Sequence, residues 1–463
     1  MSGLLSGPSV DRLVLLLAVL AVGLVSWLFL RRRPGVLVVL WCVVAGFVPF
    51  WFGVTARVYI QPLTVVGALI IACAIGRTRT SLGWPDLAVG MLFVSCVAPV
   101  LIGAGTASSV FTIVTQWGLG YTVGRILPLM AGLDRVHLVA GAVAAAVGVG
   151  AVVEFVLGWN PFVELPVANE LYAKWGNLQE RGGIIRAEWA YGHSIALGAC
   201  LALAVPLLLA ARIRSSTRAL LLVPIVAGAV VSFSRIGIVC TVAGIVLSVL
   251  FLPNDLTRRL RAVVAGVLVL GAVVATPIIT STFASAGSEA TNSAAYRGNL
   301  SSLIPSVSIF GFSDAAQRTG SGELYFGRFQ SIDSALILLG LTYGWVALVI
   351  AVGLLAAAGW SVVTRHATPA TVAVVAHVPA LVTVALITQY AIFFWFVVGV
   401  AVCTAVEGRT RGRDLEPDLL QIDDAKSDNF ARNRSWVGYR DDTATGVPSP
   451  SWSPRDPLGR SRG

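Results

Sequence analysis

Charge is scarce in this chain: Lys, Arg, Asp and Glu together make up 12% of its 463 residues, about half the roughly 25% of a typical soluble domain. That scarcity excludes a soluble globule. Lysine occurs only at Lys174 and Lys426, so almost all positive charge is arginine. Cysteine is sparse too. Cys42, Cys73, Cys96, Cys200, Cys240 and Cys403 fall in or beside apolar runs with no CxxC pair, so neither a disulfide framework nor a zinc site is indicated. There is no GxxxxGK[ST], no HExxH and no acidic pair spaced like a metal site; no metal or other cofactor is implied. Gly103-Ala104-Gly105 is too short a glycine pattern for a nucleotide and suits helix packing instead. No short leader with a small-residue cleavage site stands apart at the N-terminus, so the first segment reads as a retained helix.

What is abundant is apolar surface. Hydrophobic residues make up 56% of the chain and the mean hydropathy is +0.83. The reading is an all-α polytopic membrane protein with about 12–13 transmembrane helices, since each run is long enough to cross a hydrocarbon core of roughly 30 Å. The expected spans are 13–30, 35–53, 58–76, 87–103, 108–128, 136–157, 190–210, 219–234, 236–252, 262–280, 332–357, 370–388 and 390–406. They make a membrane domain over 1–406, with a large extracytoplasmic loop at about 281–331 before the last three helices and a second at about 158–189. Residues 407–463, rich in Arg, Asp, Ser and Pro, read as a disordered cytoplasmic tail.

The arginines set the sidedness. Arg31-Arg32-Arg33, Arg77 and Arg79, Arg135, Arg212 with Arg214 and Arg218, Arg258 with Arg259 and Arg261, Arg365, and the tail from Arg409 occupy every second connector. Placing them in the cytoplasm puts the N-terminus outside and the C-terminus inside a cell membrane. The formal charge of +10 is then absorbed by helix orientation and anionic headgroups, and nucleic-acid binding is not supported.

Polar residues that sidedness does not explain gather on the outer face: Arg186, Glu188, His193, Arg235, Arg297, Arg328 and Asp333. Arg235 is the costliest, because Ser234-Arg235 interrupts one apolar stretch from Ala219 to Leu252, where a buried arginine costs at least ~2.5 kcal/mol. The two short runs around it read as a re-entrant hairpin with Arg235 at the tip. Several guanidinium groups at one level fit an oxyanion clamp, since the guanidinium fork matches phosphate and stays charged. Each residue also has a plainer role open to it. Arg186 could pair with Glu188 or Glu180 at the surface, Arg235 could snorkel to the headgroups, and Arg297 and Arg328 could be solvated loop residues. His193 could be a satisfied helix histidine, and Asp333 the N-cap of the helix after it. Aromatics crowd the same face. Trp159, Trp189 and Tyr191 suit an interfacial belt, whereas Phe310, Phe312, Tyr325, Phe326 and Phe329 could stack on sugar faces or cover a lipid.

The arrangement resembles the O-antigen ligase and O-antigen polymerase family, bacterial membrane glycosyltransferases that move a glycan off a polyprenyl diphosphate carrier. The likeness lies in residues 181–360: Arg186-Ala187-Glu188-Trp189-Ala190-Tyr191-Gly192-His193, Phe233-Ser234-Arg235-Ile236-Gly237, Arg297 ahead of Ile309-Phe310-Gly311-Phe312, and Ser331-Ile332-Asp333-Ser334 before Tyr343-Gly344. The resemblance implies that Arg186 and Arg235 engage the carrier diphosphate and that the residue opening the helix after the large loop is catalytic. Asp333-Ser334 stands where ligases usually have a His-Asn type pair, which leans toward polymerase, and the helix count is about one above the usual twelve.

The implied reaction is attack by an acceptor sugar hydroxyl on the anomeric carbon of the lipid-linked glycan, through an oxocarbenium-like transition state. Arg186 and Arg235, with Arg297, Arg328 and His193 as further binding residues, would meet the departing diphosphate; Asp333, or failing that Glu188, would take the hydroxyl proton. The implied partners are the polyprenyl-diphosphate-linked donor, the glycan acceptor, the lipid bilayer and other polysaccharide-assembly proteins. The rival from another class is a secondary transporter or flippase for an anionic lipid or metabolite, which predicts inverted repeats; no convincing repeat relates the two halves.

Overall fold

A computed structural model describes residues 10–55, 58–181, 183–252, 257–259, 261–266, 269, 296, 299–318 and 324–407. These are mostly helical. In chain order the helices are α1 (Val10–Arg31), α2 (Pro34–Phe47), α3 (Pro62–Ala74), α4 (Trp84–Leu101), α5 (Ala107–Thr112), α6 (Leu119–Ala131), α7 (Leu133–Leu157), α8 (Glu170–Trp175), α9 (Ser194–Ala210), α10 (Ser215–Val231), α11 (Arg235–Phe251), α12 (Ala335–Tyr343), α13 (Trp345–Val363), α14 (Pro369–Ala376), α15 (Val378–Thr383) and α16 (Thr388–Glu407). Three small antiparallel hairpins join Val54–Thr55 to Tyr59–Ile60, Glu180–Arg181 to Ile184–Ile185, and Ala316–Arg318 to Leu324–Phe326. Among the described residues four helices, α4, α7, α13 and α16, are long and apolar enough to cross a membrane, and α2, α3, α9, α10 and α11 are shorter apolar helices.

The helices are shorter than the apolar runs because apolar composition continues through backbone breaks. The expected span 332–357 is two helices, divided at Gly344 with φ +93°. The chain presses so closely there that a Cβ would lie 2.5 Å from the carbonyl oxygen of Ile309, a place only glycine fits. The expected span 370–388 is divided at His377 and leaves the helix again over 384–387. Within 108–128 one turn, Ile113–Gly118, is π-helical. The expected span 262–280 lies largely outside the described residues, as do residues 281–295 and 408–463.

At the centre stands α9. Ser194 and every residue from Ala196 to Ala210 are buried, with α7, α10, α11 and α14 packed around them. A helix apolar on all sides belongs inside a bundle. Its neighbours come close through small residues: a Cβ on Gly237 of α11 would lie 2.8 Å from the Cα of Gly198 on α9. Gly148 of α7 and Gly228 of α10 make a second such crossing, Gly124 of α6 and Gly399 of α16 a third. Backbone-to-backbone approach of this kind is how apolar helices gain dispersion energy when no water drives them together.

One arginine, Arg125, lies inside an expected span, 108–128. Arg125 of α6 is buried and pairs with Asp86 in the first turn of α4, Nε to Oδ1 at 2.7 Å. It also donates through Nη2 to Asp86 Oδ2 at 3.2 Å and to the Ser81 carbonyl at 2.7 Å, while Tyr121 Oη donates to Asp86 Oδ1 at 2.6 Å. From the end of α6, α7 runs 25 residues, roughly 37 Å at 1.5 Å per residue, to the opposite end of the bundle.

The described parts of 281–331 fold on themselves. Leu300, Leu303, Val307, Phe326 and Phe329 form a small apolar cluster with Ile332 and Leu341. Phe326 and Phe329 are therefore buried in protein, a correction to their expected role as open stacking faces; Phe310 is exposed.

Candidate functional site

The far end of α7, the start of α9 and the α10–α11 turn meet at one place. After Val231 the chain leaves α10 through Ser232, Phe233 and Ser234. Ser234 is the N-cap of α11, its Oγ accepting from Gly237 N at 3.1 Å, as expected for serine before a helix. Arg235 is thus the first helical residue and the tip is 232–234, a shift of the expected hairpin by one residue. Its side chain is exposed. An anion beside it would meet both the guanidinium and the positive end of α11.

Arg186 reaches the same turn. It is 6% exposed, and donates from Nε to the Ser232 carbonyl at 3.2 Å and from Nη2 to the Phe233 carbonyl at 3.4 Å. These carbonyls end α10 and lack helical donors. The neighbouring Ala187 N–H donates to the Val231 carbonyl at 3.2 Å. The structure therefore brings Arg186 and the start of α11 together, and places Arg186 in the interior and not at an exposed surface.

Glu188 is 1% exposed, and its Oε1 accepts from Gln179 N at 3.2 Å. Burial is the main cause that pushes its carboxyl up to about 8, helped by the nearby charge of Glu154 and opposed by Gln179 and Arg186. Glu154, in the last turn of α7, is buried to the same degree. Its Oε1 accepts from Glu188 N at 3.1 Å and Asn160 Nδ2 at 2.8 Å, and its Oε2 from Trp189 N at 2.7 Å. Asn160 Nδ2 also donates to the Trp189 carbonyl at 2.9 Å.

The other candidates are more scattered. His193 is the N-cap of α9: its Nδ1 accepts from Ile195 N at 3.1 Å and its ring meets Trp175 edge-on, the satisfied-histidine role. Asp333 is not the cap of α12; that is Ser334, whose Oγ accepts from Ile337 N at 3.2 Å. Asp333 Oδ1 instead accepts from Ser331 Oγ at 3.1 Å. Its helix is tied to the bundle by the Ala335 N–H on the Val384 carbonyl, and α15 packs against both α11 and α12. Arg328 is exposed over the ring of its neighbour Phe329, and Arg297 lies outside the described residues. Among the described residues no group of three His, Cys, Asp or Glu side chains is placed to hold a metal ion.

Backbone strain converges on the same spot. Trp189, Phe233 and Thr388 have φ of +48°, a left-handed conformation that costs a bulky residue on the order of 1–3 kcal/mol. Phe233 abuts Phe155, Trp189 is held by Glu154, and Thr388 precedes Gln389, whose Nε2 donates to the Ala190 carbonyl at 2.9 Å and to the Val48 carbonyl at 3.0 Å. Such strain persists only where surrounding contacts over-determine it, and it clusters at working sites.

Sequence reasoning missed Glu154, Asn160 and Gln389. The available signal was the one carboxylate in the 136–157 run and the amide between the last two runs. Comparison of the chain with protein-family models, curated proteins and solved structures finds no match in any of the three.

Proposed function

We propose that this chain is a polytopic membrane glycosyltransferase that moves or polymerises a glycan from a polyprenyl diphosphate carrier onto an acceptor sugar at the outer face of the cell membrane. The O-antigen polymerase-like reading is favoured over ligase. The single observation that supports it most is the meeting of Arg186 with the α10–α11 turn that presents Arg235. In this reading the large 281–331 loop and the site are extracytoplasmic, the arginine-rich connectors and the C-terminus cytoplasmic.

The diphosphate gathers charge as the anomeric bond breaks, so fixed guanidinium groups stabilise the transition state more than the ground state. Arg235, exposed at the start of α11, meets the leaving group, and Arg186 holds the turn while adding positive potential. Glu188, protonated for the most part at neutral pH, adds little negative charge to repel an anion, and its deprotonated fraction can take the acceptor's hydroxyl proton. Asp333 is the second candidate base.

The test is transfer by the purified full chain in lipid vesicles, with a polyprenyl-diphosphate-linked glycan and no ion gradient. Product that lengthens in the wild type and is lost in Arg235→Ala supports the reading. Gradient-dependent movement of the lipid without a new glycosidic bond would favour a transporter or flippase.

A further inference from the structure

Glu154 sits where a carboxylate is least expected, in the last turn of a long apolar helix, with the negative end of the helix dipole against it. Burying such a group is costly unless hydrogen bonds replace its water. Here they do: two backbone N–H groups and one amide converge on its two oxygens. Both N–H groups belong to consecutive residues of the Arg186 segment, and they hold Trp189 in its left-handed turn.

We propose that Glu154 is the positioning residue of the site, fixing how Arg186 and Glu188 leave the chain and setting when Glu188 releases its proton. This rests on the proposed glycan transfer for its kinetic part only. With residues 188 and 189 clamped from below, Arg186 reaches the Ser232 and Phe233 carbonyls, so α7 is linked through the segment to the start of α11. The groups facing Glu188 are the Glu154 carboxylate from α7, the Arg186 guanidinium from its own segment and the Gln179 N–H from the preceding hairpin. The donors on Glu154 stabilise its anion, whereas Glu188 accepts one backbone N–H from Gln179. Of two neighbouring carboxyls, the one that accepts more donors is the better held as an anion.

The experiment follows the Glu188 carboxyl by infrared difference titration of the full chain in vesicles, with Glu188→Gln assigning the band. Wild type should titrate near about 8. Glu154→Gln removes the adjacent charge and turns an NH2 toward a backbone N–H, and the midpoint should fall by about one pH unit or more; an unchanged midpoint overturns the proposal. Glu154→Asp keeps the charge but draws the carboxylate back by one methylene. It should hold the midpoint and lower kcat for transfer on the order of 10²-fold with KM little changed, while wild-type kcat overturns the positioning role. If the wild type makes no glycosidic bond the proposed activity is wrong, and the infrared midpoint still decides the part played by Glu154.

Discussion

Two buried arginines sit toward opposite ends of the bundle and are handled differently. Arg125 meets a carboxylate at 2.7 Å, and Tyr121 and Ser81 close the group around it. Arg186 points two of its nitrogens at backbone carbonyls, dipoles with no net charge. The first arrangement neutralises its arginine and braces α4 to α6. The second holds a guanidinium against the turn before a helix start that carries another arginine. Fixed placement beside a helix start is what an anion site needs, so buried arginines in an apolar chain are sorted by what they hold in place.

Substitutions can break that comparison. Arg125→Ala should have the largest effect on the fold, because it strands Asp86 as a buried charge: about 3–5 kcal/mol, seen as loss of the thermal transition in detergent. Arg186→Ala should unfold the protein far less readily. Arg235→Ala should leave thermal stability near wild type and lower the proposed glycan transfer on the order of 10²- to 10³-fold, and Arg235→Lys should recover little, because an ammonium lacks the guanidinium fork. Equal loss of stability in all three would erase the distinction between brace and clamp.

Glu188→Gln tests the outer carboxyl by pH. The folded chain keeps the Glu188 proton up to about 8, whereas the unfolded chain releases it near the ordinary 4.5. Between those values the folded state binds more protons, so the Glu188 contribution to stability is present below 4.5 and is lost as pH rises through about 8. The glutamine variant should lose that downward slope in melting temperature measured from pH 5 to 8. Smallest, Ser234→Ala removes the α11 cap and should cost about 1 kcal/mol, with Arg235 less well fixed and the proposed transfer lowered accordingly.

The sequence made the helical, apolar character legible, because composition alone dictates it, and it singled out Arg186 and Arg235 as companions. It misjudged helix ends. Gly344 and the 384–387 break lie inside uninterrupted apolar runs, where only backbone geometry marks the division. Arg125 escaped notice because its partner Asp86 is 39 residues away in sequence. Glu154 and Gln389 stood out only as single polar residues, one in an apolar run and one between two, and their meaning lies in backbone groups of distant segments. The cap role open to Asp333 beside its catalytic one goes to Ser334, because serine and aspartate compete for that position.

The central position of α9 has a consequence for how the molecule is made. The Arg186 segment at its start is complete only when Gln389 binds the Ala190 carbonyl, 199 residues downstream, and when His377 reaches the Ala199 carbonyl, 178 residues downstream. Everything between must leave the ribosome first. A segment made early in synthesis is therefore among the last to be finished, and a chain halted before its final helix stays silent.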